Sequence, residues 1–145
     1  MTRARWLEPG DRLIFDGADH EVSRLVIGRA DRLNFQRVTI RPSLGGEPHD
    51  LLQVEGRLLA ADPLKPEDLR GEEVTIGERD LSLRWEGEVR TEVSESQGEH
   101  RFGLGRCAYY EGDDGCVAVR VEEDDEGYAI LGTPLDPSRL DLRFT

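Results

Sequence analysis

The heptapeptide PLKPEDL at residues 63–69 recurs as PLDPSRL at residues 134–140. Each copy closes a segment that opens with a glycine, an acid and a short apolar run. The two openings read GDRL at residues 10–13 and GEEV at residues 71–74. Both halves of the chain therefore follow one plan, which predicts an internal duplication.

The duplication places repeat-like halves at 10–69 and 71–140 inside a single domain spanning 1–145. A half of about 60 residues would be marginally stable alone, so the two halves are expected to share a core. Turn dipeptides interrupt both halves at matching places, Asp16-Gly17 in the first and Gly77-Glu78 in the second. Because such dipeptides readily adopt positive φ angles, each predicts a hairpin between two short strands.

The clearest alternation of apolar and polar residues runs from Leu81 to Arg90. Its period of two predicts a strand with one buried face, which places Trp85 in the core. Tyr109 and Tyr110 are adjacent on a later strand and must point to opposite faces. One of these two tyrosines is therefore a candidate for an outer surface or an intersubunit contact.

Evidence for helices is limited to Pro66 and Pro137, each of which is expected to begin a single turn. The polar stretch from Thr91 to His100 lacks apolar spacing and predicts a mobile loop or insertion. Gly103-Leu104-Gly105 predicts a bend or bulge between strands. The predicted fold class is all-β, with two related antiparallel units sharing a core as a sandwich or as fused small barrels.

The composition and net charge of the chain indicate which classes of molecule it can bind. The chain of 145 residues has a formal net charge of −12, with 37% hydrophobic and 34% charged residues. A negative field repels phosphates, and no dense Lys/Arg cluster offsets it, so we expect no nucleic-acid binding. No run approaches the ~18 apolar residues of a membrane span, which predicts a cytoplasmic protein without direct membrane insertion.

The residues with metal-binding chemistry are widely spaced. His20, His49 and His100 lie far apart in sequence and are predicted at the surface or in turns. A zinc site built from Cys107, Cys116 and one histidine lacks the close ligand pairs that such sites use. The sequence therefore assigns no residue to a metal.

The two cysteines are predicted to be free thiols. A hairpin with its tip at Asp113-Asp114 would place Cys116 opposite Glu111 and Cys107 opposite Arg120. Those positions are several residues apart along the ladder, beyond the ~7 Å Cα separation that a disulfide tolerates.

Two polar segments contain residue types that occur in metal-binding or catalytic sites. The five acids Glu122 to Glu126 attract cations but lack the alternating pattern of a calcium loop, so a solvated hairpin tip is expected. Ser94, Ser96, Glu95 and His100 combine the residue types of a catalytic triad, yet no nucleophile elbow accompanies them. No catalytic or cofactor-binding residue is assigned, and no cofactor is expected.

The layout resembles the bacterial domain-of-unknown-function family 4178 over most of the chain. The matching stretches are 10–17 (GDRLIFDG), 51–55 (LLQVE), 106–110 (RCAYY), 117–122 (VAVRVE) and 134–137 (PLDP). The resemblance implies an antiparallel β fold and a family without an established activity or agreed functional residues. It also implies a link to membrane-associated and envelope-stress systems, since genes of the family tend to accompany such proteins.

Three functions follow as hypotheses. The first is a non-catalytic accessory or adaptor module that binds a protein partner through an exposed strand edge. The second is a binding domain for a small cationic ligand or metal ion, suggested by the net charge of −12. The third is an enzyme that uses His100 or Cys107, which requires a pocket where titratable groups converge. Self-association into a homo-oligomer is left open.

Overall fold

Nearly all of the described chain is β-strand. The computed structural model describes residues 6–95, 98, 100–123 and 126–143. The all-β fold class is confirmed. In chain order the elements are β1 (Arg12–Phe15), β2 (Ala18–Arg29), β3 (Asn34–Pro42), β4 (His49–Val54), β5 (Arg57–Leu64), the 3₁₀ helix η1 (Pro66–Asp68), β6 (Glu73–Ile76), β7 (Arg79–Glu95), β8 (His100–Gly112), β9 (Val117–Glu123), β10 (Glu126–Pro134), the 3₁₀ helix η2 (Pro137–Arg139) and β11 (Leu140–Arg143).

Tight turns join the strands where the dipeptides predict them. Asp16 and Gly17, between β1 and β2, have φ angles of 51° and 80°. Glu55 and Gly56, between β4 and β5, have φ angles of 51° and 77°. Two successive positive φ angles match the type I′ turn, whose twist suits antiparallel strands. The hairpin predicted at Gly77-Glu78 is also present, between β6 and β7.

Eight strands close into a ring. The neighbours run in the order β2, β3, β4, β5, β10, β9, β8 and β7, and β2 then pairs with β7. This last pairing, the closing seam, joins residues Arg24–Arg29 to Arg90–Glu95. β1 with β11 continues the sheet beyond β2, and β6 continues it beyond β7. The predicted sharing of a core between two related units therefore takes the form of one ring, to which each half contributes four consecutive strands.

A β-bulge breaks the first long strand of each half at an equivalent place. The register shifts between Val22 and Arg24 in β2, and between Leu83 and Trp85 in β7. A bulge adds one residue to one strand, so side chains beyond it exchange faces. Each long strand can therefore pair with a flanking short strand at one end and close the ring at the other.

Because of the bulge, β7 does not have the single buried face that its alternation predicts. Leu83 lies opposite Tyr110 on the outside of the ring, beneath β6. Trp85 lies opposite Tyr109 and packs against the inside of the ring. Both tyrosines are buried, because β6 covers the outer one, so the prediction that one of them forms an exposed surface is wrong.

The inside of the ring is filled by one apolar cluster, which we call the inner cluster. Gly28 makes room for it, since a Cβ atom there would lie 2.2 Å from Cζ of Phe35. Close packing of this kind leaves no space for a methyl group. The buried members of the inner cluster are Leu33, Phe35, Leu52, Val54, Leu59, Val89, Cys107, Tyr109, Val117, Val119 and Val121.

Two further clusters lie on the outside of the ring, and each half contributes to both. Leu69 follows the first half but packs beneath β6 of the second half. Leu140 follows the second half and packs against the cluster beneath β1 of the first half. The repeated PL-containing segments therefore cross between halves, which gives the duplicated sequence a role in joining them.

The polarity of Thr91 to His100 predicts a loop, but residues 91–95 and 100 are β-strand, and residues 96, 97 and 99 lie outside the described residues. Thr91 to Glu95 form the end of β7 and build the closing seam, and His100 begins β8. Gly103 and Gly105 lie inside β8 and not between strands. A Cβ atom on Gly103 would approach Thr91 Oγ1 at 2.7 Å, and one on Gly105 would approach the Glu122 carbonyl oxygen at 2.4 Å.

The hairpin of β8 and β9 differs from its prediction by one residue. Glu111 pairs with Val117 and Cys107 pairs with Val121. Both cysteines are nevertheless free and buried, as predicted. Pro66 and Pro137 each lie in a single 3₁₀ turn. Within the described ranges no helix has the length and hydrophobicity to cross a membrane.

Candidate functional site

One stretch of β7 has a partner on one side only. β6 pairs with Arg79–Ser82, and the Leu83 N–H donates to the Glu72 carbonyl at 2.7 Å. β2 pairs with Arg90–Glu95. Between these pairings, residues 84–89 pair with no strand other than β8 in the described chain, and Arg84 is the bulged residue of that pairing. We call this stretch the free edge of β7.

The two faces of the free edge differ in chemistry. Trp85 and Val89 face the inner cluster, and the indole of Trp85 lies flat over Gly87, where a Cβ atom would be 2.7 Å from Cζ2. Glu86 and Glu88 are exposed on the other face. Glu86 also lies 3.4 Å from Nη2 of Arg120. The free edge therefore combines an apolar, partly buried side with an acidic, solvated side.

A groove of about 740 Å³ runs along the free edge. Its opposite wall is the turn after β2, at Ala30 and Asp31, and its outer rim carries Arg90 and Leu104. Leu104 is 59% exposed, which is unusual for a leucine on a strand.

Other strand edges of the described chain are also unpaired. β6 and β11 are the outermost strands of the sheet, and each has four residues. Very short edge strands are a common way to discourage unwanted strand pairing. Residues 100–105 of β8 pair with β7 but not with β9. The free edge of β7 differs from these edges because a paired segment bounds it at each end and a groove lies beside it, so it is the better place for an added strand.

A second concave site, which we call the Trp6 pocket, lies on the outside of the closing seam. Its volume is about 580 Å³. Gln36 and Gln53, which are cross-strand neighbours, hold the backbone of Leu7 across this surface. Gln36 Nε2 donates to the Leu7 carbonyl at 2.7 Å, and the Leu7 N–H lies 3.4 Å from Gln53 Oε1. Gln36 Oε1 is buried without a hydrogen-bond partner among the described atoms.

A polar group lies inside the ring at the end opposite Trp85. Arg37 donates to Asp50 from Nε at 3.0 Å and from Nη2 at 2.6 Å, and Thr39 donates to the same carboxylate at 2.8 Å. Arg37 also lies 5.8 Å from the ring centre of Tyr128, whose pKa is raised by burial. A cavity of about 210 Å³ adjoins Arg37 and Tyr128. This partly buried ion pair could not be predicted from the sequence, since its only signal is a charge within an apolar alternation.

The fold brings two of the three histidines together. The rings of His20 and His49 are 5.8 Å apart, and both contact Phe15. His20 is buried and its Nδ1 donates to the Ala18 carbonyl oxygen at 2.8 Å, so the prediction of a surface position is wrong for His20. His49 and His100 are exposed. No group of three metal-ligating side chains occurs within the described ranges.

The triad residue types are dispersed at the end of the hairpin of β7 and β8. His100 Nε2 lies 2.7 Å from Glu92 Oε1, and Glu95 pairs with Arg24 at 3.2 Å. Ser94 is the cross-strand neighbour of His100, whereas Ser96 lies outside the described residues. The carboxylate beside the histidine is therefore Glu92 and not Glu95.

The cysteines are poorly suited to nucleophilic chemistry. Burial raises the pKa of the Cys107 thiol to about 12. Burial also raises the pKa of Cys116, which lies 2.7 Å from Nη1 of Arg79. A thiol with a raised pKa holds little of the reactive thiolate at neutral pH.

The acidic tip lies only partly within the described residues. Glu122 and Glu123 end β9, Glu126 begins β10, and residues 124 and 125 fall outside the description. Glu122 lies 3.5 Å from both Arg70 and Arg120. The carboxylate of Glu122 is therefore partly neutralised by arginines of the same chain.

Comparison with protein-family models, curated proteins and solved structures finds no match to this chain. The resemblance to family 4178 therefore stays a prediction. The geometry of the free edge and the Trp6 pocket is what remains to indicate a function.

Proposed function

We propose that this protein is a non-catalytic interaction module that binds an extended segment of a partner protein by strand addition at the free edge of β7. The observation that carries this proposal is that residues 84–89 pair on one side only within the described chain, beside a groove of about 740 Å³. An added strand would fill the interval between β6 and β2.

Backbone hydrogen bonding supplies the affinity in this mode of recognition. Successive residues of an antiparallel strand direct their N–H and C=O groups to alternate sides, so about half of those in the free edge point into the groove. Six residues of strand extend about 20 Å, enough for a short peptide segment. Pockets for alternate side chains then supply specificity.

Charge favours a basic partner segment. Glu86, Glu88 and Asp31 contribute three carboxylates to the groove, against the guanidinium groups of Arg29 and Arg90. The second half of the chain is also the acidic half, because residues 71–145 contain 8 Lys+Arg and 19 Asp+Glu. Opposite charges on neighbouring strands contribute roughly 0.2–1 kcal/mol per pair. The preferred segment therefore alternates basic residues with apolar ones that face Trp85.

The test uses a labelled hexapeptide of alternating Lys and Val with blocked ends, titrated with the full chain and followed by fluorescence anisotropy. Two N-methylated versions carry the methyl groups on alternate sets of residues. We expect saturable binding of the parent peptide and its loss in only one N-methylated version, because only one set of N–H groups faces β7.

Charge reversal provides the matched control. Glu88→Lys should weaken the binding of the parent peptide by about 5-fold or more. Glu47→Lys should have a smaller effect on this binding, since Glu47 is exposed in the turn between β3 and β4. Equal loss from both substitutions would indicate a nonspecific field effect. Peptide binding that survives both N-methylations would contradict strand addition.

A further inference from the structure

The Trp6 pocket has an apolar floor and an aromatic wall. Leu25 and Ile27 of β2 form the floor. Trp6 is 41% exposed although its neighbour Leu7 is buried, so the indole stands beside the pocket instead of joining the core. A volume of about 580 Å³ is within the range of roughly 300–1,000 Å³ typical of sites for small molecules.

The buried polar atom of the pocket without a hydrogen-bond partner is an acceptor. Gln36 is fully buried, and its Nε2 is committed to the Leu7 carbonyl, which leaves Oε1 as a buried acceptor without a partner in the described structure. A buried polar atom without a hydrogen bond costs roughly 1–3 kcal/mol, so a ligand that donates to it recovers that cost. A ligand of this pocket should therefore carry a hydrogen-bond donor.

Two carboxylates lie at the rim. Glu8 is exposed, and its side chain has no ion-pair partner in the part of the chain that is described. Glu92 accepts from His100 at 2.7 Å and lies 3.7 Å from Nη2 of Arg29. Glu92 is thus shared between His100 and Arg29, and the Arg29 side chain is 62% exposed. The lining therefore holds two carboxylates against the guanidinium of Arg29, in a chain with a net charge of −12.

We infer that the Trp6 pocket binds a small organic ammonium ion with an apolar body. The ammonium group donates to Gln36 Oε1 and is balanced by Glu8 and Glu92. The apolar body rests on Leu25 and Ile27 and against the indole of Trp6, whose face also attracts a cation. A carboxylate or phosphate ligand cannot donate to Gln36 Oε1, and it would meet two carboxylates against the guanidinium of Arg29, so it should bind more weakly than the ammonium ion.

This site does not depend on strand addition at the free edge of β7. The two sites lie on either side of the closing seam, and only Arg29 lines both. Failure of the peptide experiment would leave the ammonium site standing, and the reverse is also true.

The experiment is calorimetric titration of the full chain with three probes of nearly equal shape: phenethylammonium, 2-phenylethanol and phenylacetate. We expect saturable heat from phenethylammonium with a dissociation constant of about 1 mM or tighter, binding at least ~10-fold weaker for 2-phenylethanol, and none for phenylacetate. Phenylacetate binding equal to that of phenethylammonium, or no saturable heat from any probe, overturns the inference.

Isosteric variants locate the site. Glu8→Gln removes an exposed charge without removing an ion pair among the described residues, and should weaken the binding of phenethylammonium by about 3-fold to 5-fold. Glu47→Gln removes the same charge at a distance, and should change the affinity by less than about 1.5-fold at moderate salt. Equal effects of the two variants would show that the general field of the protein, and not the pocket, attracts the cation.

Discussion

Asp16 shows how one residue combines a turn with a long-range contact. Its φ angle of 51° belongs to the turn between β1 and β2, and its carboxylate accepts from Arg139 Nε at 2.7 Å and Nη2 at 3.0 Å. Arg139 also lies over the ring of Phe15, 5.1 Å from its centre. The hydrogen bond from Arg139 lowers the pKa of Asp16 below its ordinary value of 3.8. Asp16 thus connects the first hairpin to η2 at the end of the chain.

Replacement of Asp16 by Asn tests this contact, because Asn also tolerates positive φ and so preserves the turn. A carboxyl group whose pKa is lower in the folded state than in the unfolded state stabilises the fold at pH values above the unfolded-state pKa. This stabilisation is lost as pH falls through the folded-state pKa. We expect the urea midpoint of wild type to exceed that of Asp16→Asn at pH 7, and the difference to disappear as pH falls through the lowered folded-state pKa of Asp16. A pH-independent difference would mean that the turn, and not the charge, is responsible.

Among single residues, the sequence predicts those whose conformation depends on their immediate neighbours, and it does not predict those whose contacts are distant in sequence. The turns at Asp16-Gly17 and Glu55-Gly56 can be predicted from the sequence, since few residue types readily adopt positive φ angles. Gln36 has no such signal, because a glutamine that holds the Leu7 backbone resembles any surface glutamine in sequence. His20 likewise resembles a turn histidine until β1 and β4 bring Phe15 and His49 beside it.

The strands follow the period-two pattern only as far as their bulges. Leu81, Leu83, Trp85 and Val89 have one parity in sequence, yet the first two lie beneath β6 and the last two inside the ring. A bulge is a one-residue irregularity in pairing, so a pattern of apolar residues cannot reveal it. The same reasoning explains the missed seam at Thr91 to Glu95, where the partner strand lies far away in sequence.

The closing seam can be tested by a designed disulfide. Val26 and Val93 are direct cross-strand partners, for which Cα separations of about 4.5–5.5 Å fall within disulfide geometry. Val26→Cys combined with Val93→Cys should oxidise to a single bond and raise the free energy of unfolding by about 2–4 kcal/mol. Mass spectrometry after thiol labelling would count the bond, and the native Cys107, with its pKa raised to about 12, should not compete.

A second cysteine pair serves as the control for the seam. Arg101 pairs with Val93 on the far side, so Val26 and Arg101 are two strand spacings apart, roughly 10 Å. Val26→Cys combined with Arg101→Cys should therefore remain reduced under the same conditions. Efficient oxidation of this second pair, or none of the first, would contradict the ring.

Over the whole molecule, charge and core are distributed differently between the halves. Residues 1–70 contain 11 Lys+Arg and 12 Asp+Glu, whereas residues 71–145 contain 8 and 19. The first half is thus nearly neutral and the second carries almost all of the net charge. The clusters, by contrast, are shared, because Leu69 packs beneath β6 and Leu140 beneath β1. Self-repulsion in the acidic half is therefore offset by contacts that only the other half supplies.

Separation of the halves tests this dependence. Fragments 1–70 and 71–145 would each lose both ring junctions, β2 with β7 and β5 with β10, and would expose the inner cluster. We expect neither fragment to give a cooperative thermal transition alone by circular dichroism, since about 70 residues with an open core are marginal. An equimolar mixture should recover β-sheet ellipticity and a cooperative transition whose midpoint rises with concentration. Independent folding of fragment 71–145 would show that the shared clusters are not required.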